Sequence, residues 1–510
     1  MWLPKVDLGA TLSTTHQDLL GDWYRDPWGW PEIDWVIKHQ PSVLQARLNG
    51  RGANASCLVD VPKENFATRP AVVLEPVDRL AYQAIVGMVS NALIGRLHPN
   101  VFGWRLPRGK RRSGKYARND REWEKYRAHI SELANVYDAA LKTDVVSCFA
   151  SIPVDRICAQ LDQRLNSVGR GAEADRLNSL LQSWDKVPGR SGIPQRCQAS
   201  SVLANFYLSG VDDVLVDVSQ EVLRLGQPST RSFARWMDDI WLFGNDAGQL
   251  RLAQIEIQKA LGRLGLQLNV AKTKLLEGNA VIDQVLKVEH SAIDEGLASS
   301  PTDTGPLNAL INKIVEDKEN ANRTTVRFVA ERMKTHKKFR KLKSIQGVAN
   351  RMPHVADHLG RLFRDSKRAA RMQDWFLDYC SSPWGKVEWP VAQFATMFPS
   401  DRKLMTKGVI NHLATELAEN ANSLPLLALA AQRLAAWNPR LAIDAIEASI
   451  PRVSGPLERR VLALAGLNAG APAQQVQRWL NDFPENAITV SLLSEMSFVP
   501  LVYELDFAGD

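Results

Sequence analysis

Asp238 and Asp239 stand side by side in RSFARWMDDIWLF, residues 231–243, between apolar and β-forming residues. Adjacent acids usually belong to solvated surfaces, whereas carboxylates carried at the tip of an apolar hairpin suit divalent cations. A second acidic pair, Asp212 and Asp213 in GVDDVL, lacks strand-like flanks and is expected to be a solvated helix face. Upstream, YDAALKTDVVSCFASI (137–152) reads as a short apolar strand that delivers Asp144 at its end and then turns toward a helix. Three carboxylates meet the needs of two Mg²⁺ ions about 3.5–4 Å apart, one activating an attacking 3′-oxygen and both neutralising phosphates and a leaving pyrophosphate. Mn²⁺ accepts the same oxygen donors. Phe149, five residues after Asp144, is spaced to lie under the sugar of a nucleotide held there and to exclude a 2′-hydroxyl. The plain alternative for it is an ordinary core phenylalanine.

These residues need elements to position them. In SGIPQRCQASSVLANFYL (191–208), Gly192 and Pro194 mark a turn, and Ser200–Leu208 reads as a helix with an apolar face. Taken in order, the blocks resemble a reverse transcriptase: TDVVSCF its motif A, GIPQ with SSVLAN its motif B, RWMDD its YxDD motif C, and GLQLNVAKTKLL (265–276) its motif D. RPAVVLEPVDRLAYQAI (69–85) is similar to the fingers region of bacterial members. The resemblance implies an α+β right-hand polymerase core of palm and fingers over residues 61–290. Asp144, Asp238 and Asp239 would ligate the two metals, Phe149 would be the steric gate for deoxynucleotides, and Gln195 would contact the incoming nucleotide. Lys272 matches the motif D lysine that protonates the leaving pyrophosphate, against the alternative of a surface lysine on a turn. Arg69, or one of Arg108, Lys110, Arg111, Arg112, Lys115 and Arg118, is expected to hold the triphosphate. Two residues depart from the family pattern: Arg196 replaces the glycine after the motif B glutamine, and Trp236 replaces the tyrosine of YxDD. Neither removes a metal ligand, and both put conventional templated synthesis in doubt.

A chain of 510 residues exceeds one ordinary core. The expected division is an N-terminal extension (1–60), fingers and palm (61–290), a polar linker (291–306), and an α-helical domain in the thumb's place (307–510). The net charge of +7 suits a nucleic-acid partner, and the basic runs RGKRRSGKYAR (108–118) and RMKTHKKFRKLK (332–343) concentrate it, the second expected to be helical. Five scattered cysteines without CxxC spacing argue against a disulfide scaffold or a zinc site. With no signal-like start and no long apolar run, a bacterial cytoplasmic protein with no membrane partner is expected. In the helical region, VAQFATMFP (391–399), AQRLAAWNP (431–439) and QVQRWLNDFP (475–484) each close an amphipathic helix with an aromatic and a proline. Those steps suggest HEAT-like repeats, with an ordinary bundle as the alternative.

A polymerase core followed by such a domain, with no HNH-type or RNase H constellation, resembles the abortive-infection (Abi) branch of bacterial defence-associated reverse transcriptases. That resemblance implies synthesis from dNTPs without a template, a start on a protein hydroxyl, a single-stranded DNA product attached to protein, and a homo-oligomer. Tyr24 in GDWYRDPWGW is the one tyrosine of the first 80 residues and is the candidate primer, against a packing role. The alternatives are a conventional RNA-templated enzyme working on a noncoding RNA, and a catalytically silent RNA-binding scaffold.

Overall fold

A computed structural model describes residues 6–54, 56–107, 114–224, 227–287, 290–291, 293–294, 297, 304–366, 369–400, 407–496 and 499. Among them the strands, in chain order, are β1 (Cys57–Pro62), β2 (Thr68–Val73), β3 (Val101–Phe102), β4 (Ala139–Thr143), β5 (Glu221–Arg224), β6 (Gln227–Arg231), β7 (Phe233–Trp236), β8 (Asp239–Gly244) and β9 (Lys274–Glu277). The chain folds as two compact units, one of residues 1–18, 42–53 and 78–291, the other of 19–41, 54–77 and 292–510.

The first unit is built on a five-stranded sheet of order β3-β7-β8-β4-β9, with β3 parallel to β7 and the remaining pairs antiparallel. Alternation along β8 decides what each face meets. Trp241 and Phe243 join Tyr126, Ile130 and Leu133 of the Asn119–Val136 helix and Val281 and Val285 of the Asn279–Leu286 helix in one buried cluster. Across the sheet, the Ala247–Arg263 helix contacts β4 and β8 and packs on the Ser209–Val218 helix. Helices on both faces shield the strands, which is why β8 can be apolar at every position after Asp239.

In the second unit, residues from before the sheet and after it share one core. The β1–β2 hairpin buries Val59, Val61 and Ala71–Val73 and contacts the Glu388–Ala395 and Leu424–Trp437 helices. The hairpin's buried face places residues 54–77 in the helical unit. Trp28 and Trp30 are buried in the same unit, and Arg460 reaches both Asp26 (2.8 Å) and Glu32 (2.6 Å) with its own side chain fully enclosed. Every described element from residue 304 onward is helical. The 332–343 run is not one helix. Thr335 ends the Arg323–Thr335 helix, and Lys337 turns left-handed at φ 53 while Lys338 N–H donates to Met333 O and Lys337 N–H to Lys334 O. This closing pattern normally uses glycine at the lysine's position. No helix among the described residues is long and apolar enough to cross a membrane.

Candidate active site

Trp236 pairs with Asp239 at the end of the β7–β8 ladder, leaving Met237 and Asp238 as a two-residue turn. A hairpin turn with positive φ at its first central residue usually has glycine there, yet Met237 occupies it at φ 56. The fully buried Arg235 holds the turn. Its guanidinium donates to Met237 O at 2.9 Å, to Asn205 Oδ1 at 3.0 Å, and to both carboxylate oxygens of Asp212 at 2.6 and 2.7 Å. Asn205 in turn donates through Nδ2 to Gly103 O at 3.1 Å. Asp212 is thus no solvated acid but a buried anchor, while its neighbour Asp213 is exposed as expected. Burial pushes the Asp212 carboxyl up against the pull of Arg235. Sequence reading missed this anchor because the two ends of the pair lie 23 residues apart, although the arginine beside the aspartates was in plain sight.

Thr143 pairs with Ile240, so one further step of the β4–β8 ladder sets Asp144 opposite Asp239 on the same face. The chain then leaves the sheet, with Asn269 N–H donating to Asp144 O at 2.7 Å. Asp144 is buried, and its Oδ2 accepts from Lys272 Nζ at 2.8 Å and from Asn269 Nδ2 at 3.3 Å. Asp238 is pushed up to about 7, first by burial, then by the charges of Asp144 and Asp239. Burial raises Asp239 as well, with Asp144 adding to the effect and Lys142, Lys272 and Lys287 opposing it. Partial burial works against the charge on Lys272, but its hydrogen bond to Asp144 outweighs that and leaves the lysine above its ordinary value.

An all-oxygen donor set suits Mg²⁺ or Mn²⁺, and the mutual repulsion that raises Asp238 is what a divalent cation relieves. Among the described residues no three acidic, histidine or cysteine side chains are drawn together tightly enough to ligate one ion as they stand. Lys272 engages the Asp144 oxygen instead. The residues fit the metal in chemistry, and Lys272 must yield that oxygen to it.

Phe149 is half-buried in the Cys148–Ser151 turn of helix, and its carbonyl accepts Ile193 N–H at 2.9 Å. A Cβ on Gly192, at φ +75, would come within 2.2 Å of that carbonyl, so only glycine lets the 191–197 loop seat on the Phe149 turn. The same loop carries the half-buried Gln195 and the exposed Arg196. Arg196 adopts φ 55, the conformation the family's glycine would take without strain, and Arg79 donates to its carbonyl at 2.7 Å. Trp236 packs among Trp104, Trp123 and Tyr126.

The structure therefore gathers Asp144, Asp238, Asp239 and Lys272, and joins Phe149 to the Gln195 loop through Gly192. Tyr24 and Arg69 belong to the second unit. Tyr24 is buried, with its hydroxyl donating to Asp26 Oδ1 at 3.1 Å, and Arg69 lies over the Trp23 ring at 5.3 Å. Of the basic run at 108–118, Arg108, Lys110, Arg111 and Arg112 lie outside the described residues, Lys115 is 4.0 Å from Asp7, and Arg118 pairs with Asp120.

A sheet whose central hairpin carries adjacent aspartates, beside a third at the end of the next strand, is the palm of a nucleotidyl-transferring polymerase. Residues 61–332 match the model of the reverse transcriptase (RNA-dependent DNA polymerase) family. The chain belongs to that family, and its activity is nucleotidyl transfer. No curated protein matches the chain.

Proposed function

We propose that the protein is an antiphage DNA polymerase of the abortive-infection branch, which joins deoxynucleoside triphosphates without a template and starts on a protein hydroxyl. Asp144, Asp238 and Asp239 would hold two Mg²⁺ ions, whose charge when bound neutralises the triphosphate and activates the attacking oxygen. That oxygen, from a protein hydroxyl at the first step and from the 3′-end afterwards, releases its proton to solvent water and bonds to the α-phosphorus as the bond to pyrophosphate breaks. Lys272 carries its proton into the carboxylate cluster and gives it to the departing pyrophosphate. Phe149 lies under the sugar to reject a 2′-hydroxyl, Gln195 orients the nucleotide from the Gly192 loop, and Arg196 meets its phosphates.

One observation carries the nucleotidyl-transfer chemistry: the charges of Asp144 and Asp239 press on the Asp238 carboxyl at the ends of adjoining elements, with Lys272 ion-paired to Asp144 at 2.8 Å. The finer reading draws support from Arg196 and Trp236, which replace family residues near the site, and from the all-helical region that follows the polymerase region where a thumb is expected. Antiparallel helix pairs of the HEAT kind and a homo-oligomeric assembly belong to the same reading. Tyr24, enclosed as it is, serves as primer only if its segment opens. The test is incubation of the purified protein with Mg²⁺ and labelled deoxynucleotides without template, beside Asp238→Ala, before and after protease. Label that stays with wild-type protein until digestion, and is missing from the variant, is the expected result. Label that appears only when RNA and primer are supplied overturns the untemplated reading.

A further inference from the structure

On the sheet face that bears Asp239, an aromatic group and a cationic group flank the carboxylates. Trp236 lies 4.9 Å from Trp123 in an edge-on arrangement and 5.6 Å from Trp104, ring centre to ring centre. Trp123 is 41 % exposed, a large share for a tryptophan, while Trp104 and Trp236 are part-exposed. Trp104 also takes φ 43, a conformation bulky side chains avoid. It is held there by Asn119 Oδ1, which accepts Trp104 N–H at 2.9 Å, and by Asn205, which donates to the preceding carbonyl. Backbone strain maintained in this way is found at functional positions. On the other flank, Lys142 sits cross-strand from Trp241 with Nζ 5.2 Å from its ring centre, Lys287 follows the Asn279–Leu286 helix, and Arg127 projects from the Asn119–Val136 helix. None of these three cations makes an ion pair with a carboxylate among the described residues, whereas the nearby acids Asp120 and Glu122 are taken up by Arg118 and Lys125. Lys287 is held below its ordinary value first by desolvation and then by the charges of Lys142 and Arg127, which outweigh the opposing pull of Asp239.

We infer that this face is a track for single-stranded DNA, on which unpaired bases stack on Trp123 and Trp104 and backbone phosphates lie along Arg127, Lys142 and Lys287. The pairing of exposed rings with a group of cations that make no direct ion pair is the chemistry that holds a strand without reading its sequence. Its position beside Asp239 makes the growing strand the occupant, a choice that rests on the nucleotidyl-transfer reading. A duplex, whose bases are already stacked on one another, offers its phosphates but not its ring faces.

The test measures anisotropy of a short fluorescein-labelled oligodeoxythymidylate with full-length protein in EDTA, so that binding is read apart from catalysis. Trp123→Ala and an Arg127→Glu/Lys287→Glu double variant are each expected to weaken binding roughly tenfold or more. Trp123→Phe is expected to restore most of the loss, and Asp238→Ala to leave binding intact. Circular dichroism of each variant establishes that it is folded. Wild-type affinity in both the Trp123→Ala and double variants, or equal affinity for a blunt duplex of the same length, overturns the inference. Tryptophan-dependent binding by a protein that polymerises under no condition would sustain the track and sink the polymerase reading. Polymerisation that survives while Trp123→Ala binds normally would do the reverse.

Discussion

Asp238 couples protonation to stability at a single side chain. Its folded-state value near 7 lies above the ordinary carboxylate value of 3.8, so between those limits the folded protein holds a proton that the unfolded chain releases. Stability therefore falls as pH rises through that window in metal-free buffer. Thermal unfolding in EDTA from pH 4 to pH 8 is expected to show this decline in the wild type and a flatter profile in Asp238→Asn. Added Mg²⁺ is expected to raise the wild-type midpoint at pH 8 well above its effect on the variant. A second residue-scale prediction concerns the arginine beneath the turn. Removing one partner of a buried ion pair strands the other, so Arg235→Met and Asp212→Asn are each expected to cost about 3–5 kcal/mol. The double variant Arg235→Met/Asp212→Leu should cost less than their sum, as read by denaturant titration. The three metal-site candidates were legible from local sequence because carboxylates among apolar strand residues need a reason. Asp212 was not, since nothing in GVDDVL announces which of two acids faces inward.

At the scale of elements, the helix Ala356–Asp365 carries a titrating group of its own. His358 is lowered to about 3, first by burial, with the Arg323 and Arg361 charges adding to it and Asp357 opposing, and Arg361 Nη2 donates to its Nδ1 at 2.7 Å. The folded state keeps this imidazole neutral while the unfolded chain protonates it near 6.5, so the stability it confers is complete above 6.5 and is lost as pH falls toward 3. His358→Gln is expected to flatten that acid-side slope in a melting series between pH 3 and pH 7. The β4 and β8 strands and the Gln198–Tyr207 helix follow their hydrophobic period closely, and sequence reading places them well. The basic run at 332–343 defeats it, because Lys337 adopts the left-handed closing conformation usually reserved for glycine. A lysine there gives no turn signal.

For the whole molecule, the order of segments matters more than any one of them. The second unit takes residues 19–41 and 54–77 from before the palm and closes them into the helical region with Arg460 at its centre. A fragment ending at residue 291 is therefore expected to expose Trp28, Trp30 and the apolar face of β1–β2. It should bind a hydrophobic dye and aggregate, even though it contains the complete sheet. A cooperative, dye-silent melt of that fragment would refute this account of the unit.

The sequence by itself made three candidate aspartates, their strands and the Gly192 turn legible, through local spacing and apolar alternation. It also determined that the C-terminal region is helical, because alanine and leucine at helical period leave little choice. Tertiary structure alone decided that Arg235 and Asp212 would lock the Met237–Asp238 turn and that Tyr24 would be enclosed. It alone decided that the first hairpin would leave the polymerase sheet for the helical unit. These are long-range outcomes, fixed by which buried charges find partners and which apolar faces find cover once the whole chain is assembled.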